Sequence, residues 1–326
     1  MVFCGKKDGM KRYLLAALCA FVLSGLFSAL LLPILRKMKA GQNVLSYVKE
    51  HKKKEGTPTM GGLAFILAIV LTAILFVERI NRGIIVTLVV TLAYMLVGFL
   101  DDYLKRKHKK NLGLRAWQKF AFQLAIALVV AIFCFRAGFT KQYIPFWGES
   151  VDFGAWSIPF TTLVFLATVN AVNLTDGLDG LAAGTSTTFL LSLAALVILE
   201  KGDGAQTLVC FCGAGALSAY LILNIPPAKI FMGDTGSLAL GGLIACTCSF
   251  TGNALYLPVA GLPFVLSVLS VIIQVIYYKV SGGKRVFLMS PLHHHFQKRG
   301  HSESRISYAY ALGSALLGVV CVAFIL

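Results

Sequence analysis

The chain has 326 residues, of which 57% are hydrophobic and only 13% charged, and its formal net charge is +16. That composition excludes a single soluble domain, and no polar block is long enough to fold as one beside a membrane region. The basic residues sit in short loops between apolar runs and form no nucleic-acid-binding motif, so they suit anionic lipid headgroups or an anionic substrate rather than DNA or RNA.

Ten apolar runs read as membrane helices, at 13–35, 60–77, 84–100, 118–135, 157–172, 182–199, 206–223, 236–250, 257–279 and 306–325. The first follows Lys6, Lys7, Lys11 and Arg12. It is long enough to span a bilayer and no small-residue cleavage site follows it, so it is expected to be a retained helix and not a signal peptide. Loop 136–156, with Gly138, Pro145, Gly148 and Gly154, predicts a short hairpin or interfacial segment. The ninth run carries Pro258 and Pro263 early, which predicts a bend or break. Seven of the eight cysteines lie in apolar runs and read as packing residues; only Cys4 lies in a polar tail. The expected fold is therefore an all-α integral membrane protein of about ten transmembrane helices, one domain over residues 1–326.

Alternate loops differ in charge. Loops 36–59, 101–119, 173–181, 224–235 and 279–305 hold 21 of the 30 Lys and Arg, and the other side holds nine. The positive-inside rule makes the first set cytoplasmic and puts both termini outside, although the basic N-terminal tail argues the other way.

Five unusual stretches then fall on that cytoplasmic side. Thr57-Pro58-Thr59-Met60-Gly61-Gly62 opens the second run after Lys52, Lys53 and Lys54; a capped helix start with close glycine packing explains it by itself. Asp101 and Asp102 end the third run, before Lys105, Arg106, Lys107, Lys109 and Lys110. Adjacent carboxylates at a helix C-terminus oppose its dipole, so a cation or a metal should compensate them. Residues 170–180, NAVNLTDGLDG, place Asn170, Asn173, Asp176 and Asp179 between two long apolar runs. Asp176 and Asp179 would share a face if helical, as would Asn170 and Asn173. A polar turn accounts for the glycines of this stretch but not for two Asn at the end of a span. Asn224 and then FMGDTGS at 231–237 lead into the eighth run, with Asp234 at a helix start that favours anions. Finally, His293, His294 and His295 are consecutive. Neither helix nor strand aims three successive side chains at one ion, so phosphate binding suits them better than a zinc site. No nucleotide P-loop, dinucleotide fingerprint, zinc-protease or esterase motif is present. Clustered Asp, Asn, Lys and His on one membrane face point to Mg2+-assisted chemistry on a phosphate. A transporter would instead carry polar residues at mid-membrane depth.

TPTMGG (57–62), FLDDY (99–103), NAVNLTDGLDG (170–180), FMGDTGSLALGG (231–242), SGGKR (281–285) and PLHHHF (291–296) together resemble the phospho-N-acetylmuramoyl-pentapeptide transferases. These form a branch of the polyprenyl-phosphate N-acetylhexosamine-1-phosphate transferases, and the motifs run along nearly the whole chain. The resemblance implies a ten-helix enzyme of the bacterial plasma membrane, commonly a homodimer, with a cytoplasmic active site and a requirement for Mg2+. It implies transfer of phospho-MurNAc-pentapeptide from UDP-MurNAc-pentapeptide to undecaprenyl phosphate, giving lipid I and UMP. By motif, Asp101, Asp102 and Asp234 are the catalytic carboxylates, with Asp234 the first metal ligand and Asn173 and Asp176 beside it. Asn170 joins these at the phosphates, Asp179 and Phe231 hold the uracil, and Lys119 and His293 to His295 support phosphate binding. Thr59, Asn224 and Gln274 complete the substrate contacts, Gln274 reaching toward the sugar-peptide with Lys284 and Arg285. Position 297, commonly acidic in the family, is Gln297 here. The nearest alternative is the sister reaction, in which UDP-GlcNAc is the donor.

Overall fold

The computed structural model describes residues 2–38, 56–107 and 113–326. Twelve helices follow in order: α1 (Val2–Lys37), α2 (Gly62–Phe76), α3 (Arg82–Lys107), α4 (Ala116–Ala137), α5 (Ser157–Thr175), α6 (Leu181–Leu199), α7 (Gly204–Asn224), α8 (Gly233–Thr251), α9 (Leu257–Ala260), α10 (Leu262–Val280), α11 (Leu292–Lys298) and α12 (Glu303–Ala323). Eight of them are long and apolar enough to cross a membrane, namely α1, α3, α4, α5, α6, α7, α10 and α12. The chain is a multi-pass membrane protein. Two of the ten expected spans fall short of that standard: α2 is apolar but has 15 residues, and α8 is diluted by Gly, Ser, Thr and Asp234.

That dilution has a structural cause, because α8 is the central helix. Every residue from Thr235 to Phe250 is buried, and α3, α5 and α2 pack around it. Small residues let backbones approach where lipid offers no hydrophobic drive for helix pairing. A Cβ on Gly62 of α2 would fall on the Cα of Gly236, and one on Gly98 of α3 would fall on the carbonyl oxygen of Asp234. Large apolar side chains fill the outer layer, with Phe65 against Tyr220 on one side and Tyr94 against Phe165 on the other.

The expected hairpin is present. Strands β1 (Lys141–Tyr143) and β2 (Ser150–Asp152) pair antiparallel, with Gln142 opposite Val151. It covers the C-terminal end of α8: Tyr143 N–H donates to Gly252 O at 2.8 Å, and Ala254 N–H to Gln142 Oε1 at 3.1 Å. The ninth run is indeed broken, into a 3-10 turn (Ala254–Tyr256), α9 and α10, with the interruption at Gly261.

Two local expectations are corrected. Helix α3 continues to Lys107, so Asp101 and Asp102 lie inside it and not beyond its end. Helix α5 stops at Thr175, with Asp176 as its C-terminal cap, so Asp176 and Asp179 do not share a helical face. The glycine-rich sequence Gly177-Leu178-Asp179-Gly180 turns the chain instead, and Gly180 has a positive φ of 73°.

Candidate active site

The last turns of α3 and the first turn of α8 meet at one end of the bundle. There one carboxylate oxygen each from Asp101, Asp102 and Asp234 lies within 4.8 Å of the others. Asp101 Oδ1 accepts the Leu114 N–H at 2.7 Å, and its Oδ2 pairs with Lys105 Nζ at 2.6 Å. Lys105 also reaches Asp234 Oδ2 at 2.9 Å, and Lys119 reaches the same oxygen at 2.7 Å. Asn173 donates its Nδ2 to Asp234 Oδ1 at 2.7 Å and to Ser237 Oγ at 2.8 Å, and its Oδ1 accepts from Lys119 at 3.3 Å. Asp102 accepts the N–H of Asp234 at 3.2 Å, the N–H of Thr235 at 2.9 Å and the Thr235 hydroxyl at 2.7 Å. The compensation expected for the paired carboxylates is thus twofold. Lys105, one turn from Asp101, supplies a cation, and the N-terminus of α8 supplies amides.

The rest of 170–180 divides. Asn170 lies one turn deeper and donates to Gln123 Oε1 and to Leu166 O, both at 2.8 Å. Asp176 is half-buried beside the centre. Burial, followed by the charges of Asp234, Asp102 and Asp179, pushes its carboxyl well above the usual range. Asp179 is buried. Its Oδ2 accepts the Ala228 N–H at 2.9 Å, its own N–H donates to Glu303 Oε2 at 3.3 Å, and its carbonyl accepts from Ser307 Oγ at 2.8 Å. Asn224, also buried, accepts the Gly180 N–H at 3.1 Å and donates to Ile230 O at 2.9 Å. Phe231 is half-buried and tied to the segment holding Thr59: its N–H donates to Pro58 O, and its carbonyl accepts from Gly61, both at 2.8 Å.

The three histidines diverge along α11. His293 is buried, with its ring against Gly177 and Tyr310. His294 Nδ1 lies 3.1 Å from Gln297 Oε1, and His295 Nδ1 accepts the Leu288 N–H at 3.1 Å. Gln297 in turn donates to Glu303 Oε1 at 3.2 Å, a contact that suits a neutral donor. Gln274 is buried, and its Oε1 accepts the N–H groups of Val286 and Phe287 at 3.2 and 2.9 Å, anchoring the loop after α10.

The structure therefore brings Asp101, Asp102, Asp234, Asn173 and Lys119 together, with Asp176 alongside. Asn170, Asp179, Asn224 and Gln274 mainly hold backbone or neighbouring side chains. Sequence reading offered Lys105 as one of five basic residues that could compensate the Asp pair; its i, i+4 spacing from Asp101 is what singles it out. Sequence reading missed Thr235, Ser237 and Glu303. Lys52, Lys53, Lys54, Lys109 and Lys110 lie outside the described residues. An all-oxygen set of buried carboxylates fits a hard divalent cation such as Mg2+. Asp234 fits best, since two of its partners, Lys105 and Lys119, are cations whose place a metal can take, whereas the donors to Asp102 are the backbone and hydroxyl of the α8 turn itself.

Comparison with known proteins gives a consistent result. Residues 84–251 match the family described as Glycosyl transferase family 4, and residues 54–66 match signature 1 of the phospho-N-acetylmuramoyl-pentapeptide-transferases. Proteins named phospho-N-acetylmuramoyl-pentapeptide-transferase are similar over most of the chain. One from Caldanaerobacter subterraneus subsp. tengcongensis is 41% identical over 304 residues, covering 93% of this chain and 95% of the relative. One from Geobacillus sp. (strain WCH70) is 43% identical over 315 residues, 94% and 96% of the two chains. One from Heliobacterium modesticaldum is 43% identical over 319 residues, 95% and 98%.

Proposed function

Because this chain belongs to the phospho-N-acetylmuramoyl-pentapeptide-transferase family, we propose that the Asp101, Asp102 and Asp234 centre is where it transfers phospho-MurNAc-pentapeptide from UDP-MurNAc-pentapeptide to undecaprenyl phosphate. The enzyme is a transferase acting on a lipid carrier in peptidoglycan synthesis. The observation that carries the site is the meeting of three carboxylates and two lysines at one end of a membrane bundle.

Asp234, with Asp101 beside it, would hold Mg2+, which when bound neutralises charge on the pyrophosphate and on departing UMP. Lys105 and Lys119 pair with Asp234 and stand ready to bind phosphate oxygens. An N–H and an ammonium engage the two oxygens of Asp101 and hold it in place. The phosphate nucleophile needs little help: its second pKa is about 6, so it is largely dianionic at neutral pH. Asp101 therefore positions charge. Asn173 orients Asp234, and Asp176 faces the phosphates. Phe231 offers a partly exposed ring for uracil stacking, with Asp179 and Asn224 shaping the loop behind it. His293, His294 and His295 close the phosphate side through separate contacts.

The remaining proposals concern setting. The chain is one domain with ten crossings, both termini outside and the centre facing the cytoplasm of a bacterial plasma membrane. The enzyme acts as a homodimer. The basic residues on that side of the chain hold anionic lipid near it. The polyprenyl chain approaches along α10, whose exposed Ile272, Ile273, Val275 and Ile276 match a lipid face.

The test is UMP release from purified protein with undecaprenyl phosphate, comparing UDP-MurNAc-pentapeptide with UDP-GlcNAc. Release from the first is expected. Preference for the second would overturn the substrate assignment, and release from neither would overturn the site.

A further inference from the structure

We propose that Asp102 is a positioning residue, not a metal ligand: with Thr235 it clamps the first turn of α8 against α3 and so fixes the carboxylate of Asp234. This rests on the reading that Asp234 holds the metal.

A carboxylate has about four acceptor positions. Asp102 spends three of them on the turn that carries Asp234, one on the Asp234 N–H and two on the N–H and hydroxyl of Thr235. Those three donors all belong to the first turn of α8, so its oxygens are turned to that backbone. The carbonyl of the same residue is held as well. Gly98, one turn earlier on α3, presses so closely on the Asp234 carbonyl that a side chain there would overlap it. One face of α3 therefore grips the Asp234 residue at its N–H through Asp102 and at its C=O through Gly98.

The approach to α8 is shaped to fit. Gly233 enters the turn with a φ of +67°, and a Cβ on it would strike Asp102 Oδ2. The exposed amides of a helix start favour an anion, and here a residue of another helix supplies it. Two aspartates adjacent in sequence thus have different work. Asp101 faces Lys105 and the Leu114 N–H, while Asp102 faces the α8 backbone. The Thr235 hydroxyl is uncharged and donates to Asp102, so altering it tests the clamp without removing charge from the centre.

The experiment uses the full chain in detergent, with Mn2+ binding followed by electron paramagnetic resonance and UMP release titrated with Mg2+. Thr235→Val removes the hydroxyl donor at nearly constant shape; Thr235→Ser restores it. Thr235→Val is expected to weaken Mn2+ binding and raise the KM for Mg2+ about tenfold, the loss of one charge-assisted hydrogen bond, with kcat at saturating metal changed by less than about threefold. Thr235→Ser should match the wild type. A purely structural role would instead lower the yield of folded protein and kcat with no shift in metal affinity, and that result would overturn the clamp. If Thr235→Val does not fold, Thr235→Ala is measured on its monodisperse fraction, with the same criterion. Asp234→Asn separates the two layers. If it binds Mn2+ like the wild type, the metal reading fails and the clamp with it. If it loses Mn2+ while Thr235→Val binds normally, the clamp alone fails.

Discussion

Replacing Asn224 by leucine removes the link between the two loops that flank the acidic centre. The Asn224 side chain is buried, accepts the Gly180 N–H at 3.1 Å and donates to Ile230 O at 2.9 Å. Leucine keeps the volume and leaves both backbone groups without this partner. Ile230 O retains the Tyr220 hydroxyl at 3.3 Å, so its loss is partial, whereas the Gly180 N–H loses its acceptor outright. An orphaned buried group costs ~1–3 kcal/mol, so the two together cost roughly 2–4 kcal/mol. For a chain of this size that lowers Tm by about 3–6 °C. Thermal unfolding in detergent measures it directly. Asn224→Asp provides the control, since its acceptor remains and a protonated carboxyl can still donate to Ile230 O. Burial raises the pKa of such a carboxyl, so its stability should be near wild type at low pH and be lost as pH rises. A Tm for Asn224→Leu within about 2 °C of wild type would refute the reasoning, because solvent would then be satisfying groups the structure buries.

Three further outcomes are expected. Burial raises the Glu200 carboxyl from 4.5 to about 7, against a lowering by the 2.8 Å hydrogen bond from Asn253; the group therefore contributes stability below pH 4.5 that is lost as pH rises through 7. Glu200→Gln should remove ~2 kcal/mol of that pH dependence, allowing for partial exposure, as read from melting curves at pH 5 and pH 8. Gly62→Ala drives a methyl into the backbone of α8 at Gly236 and should cost ~1–3 kcal/mol in thermal stability together with a loss of UMP release, because α8 carries Asp234. Asp101→Asn should lower UMP release by a similar factor at pH 7 and pH 9; recovery at the higher pH would mean that Asp101 acts as a base.

The helices were legible because apolar run length is a local signal that the bilayer imposes directly. All ten expected runs are helical, and Pro258, Pro263 and the glycine-rich 136–156 loop marked the break and the hairpin correctly. The continuation of α3 through Asp101 to Lys107 was not legible, because the polar residues there are stabilised by contacts with α8 and not by their own sequence. The same limit explains the site residues. Asp179, Asn224 and Gln274 stand out as polar groups in odd places, a pattern that substrate contacts and backbone-stitching residues share. Only their partners, Ala228, Gly180 and Val286, tell the two apart. Which member of the basic run 105–110 compensates the carboxylates was not legible until the helix carried Lys105 one turn past Asp101.

The central claim is that Asp234, gripped between two lysines and fixed by α3, is the carboxylate through which metal supports transfer. The most direct test is UMP release from UDP-MurNAc-pentapeptide and undecaprenyl phosphate across a Mg2+ titration, with chelator at its lower end, for wild type and Asp234→Asn. The wild type should release UMP only as Mg2+ rises, and Asp234→Asn should release almost none at any concentration. Wild-type turnover in chelator, or an Asp234→Asn curve matching the wild type, would contradict the account.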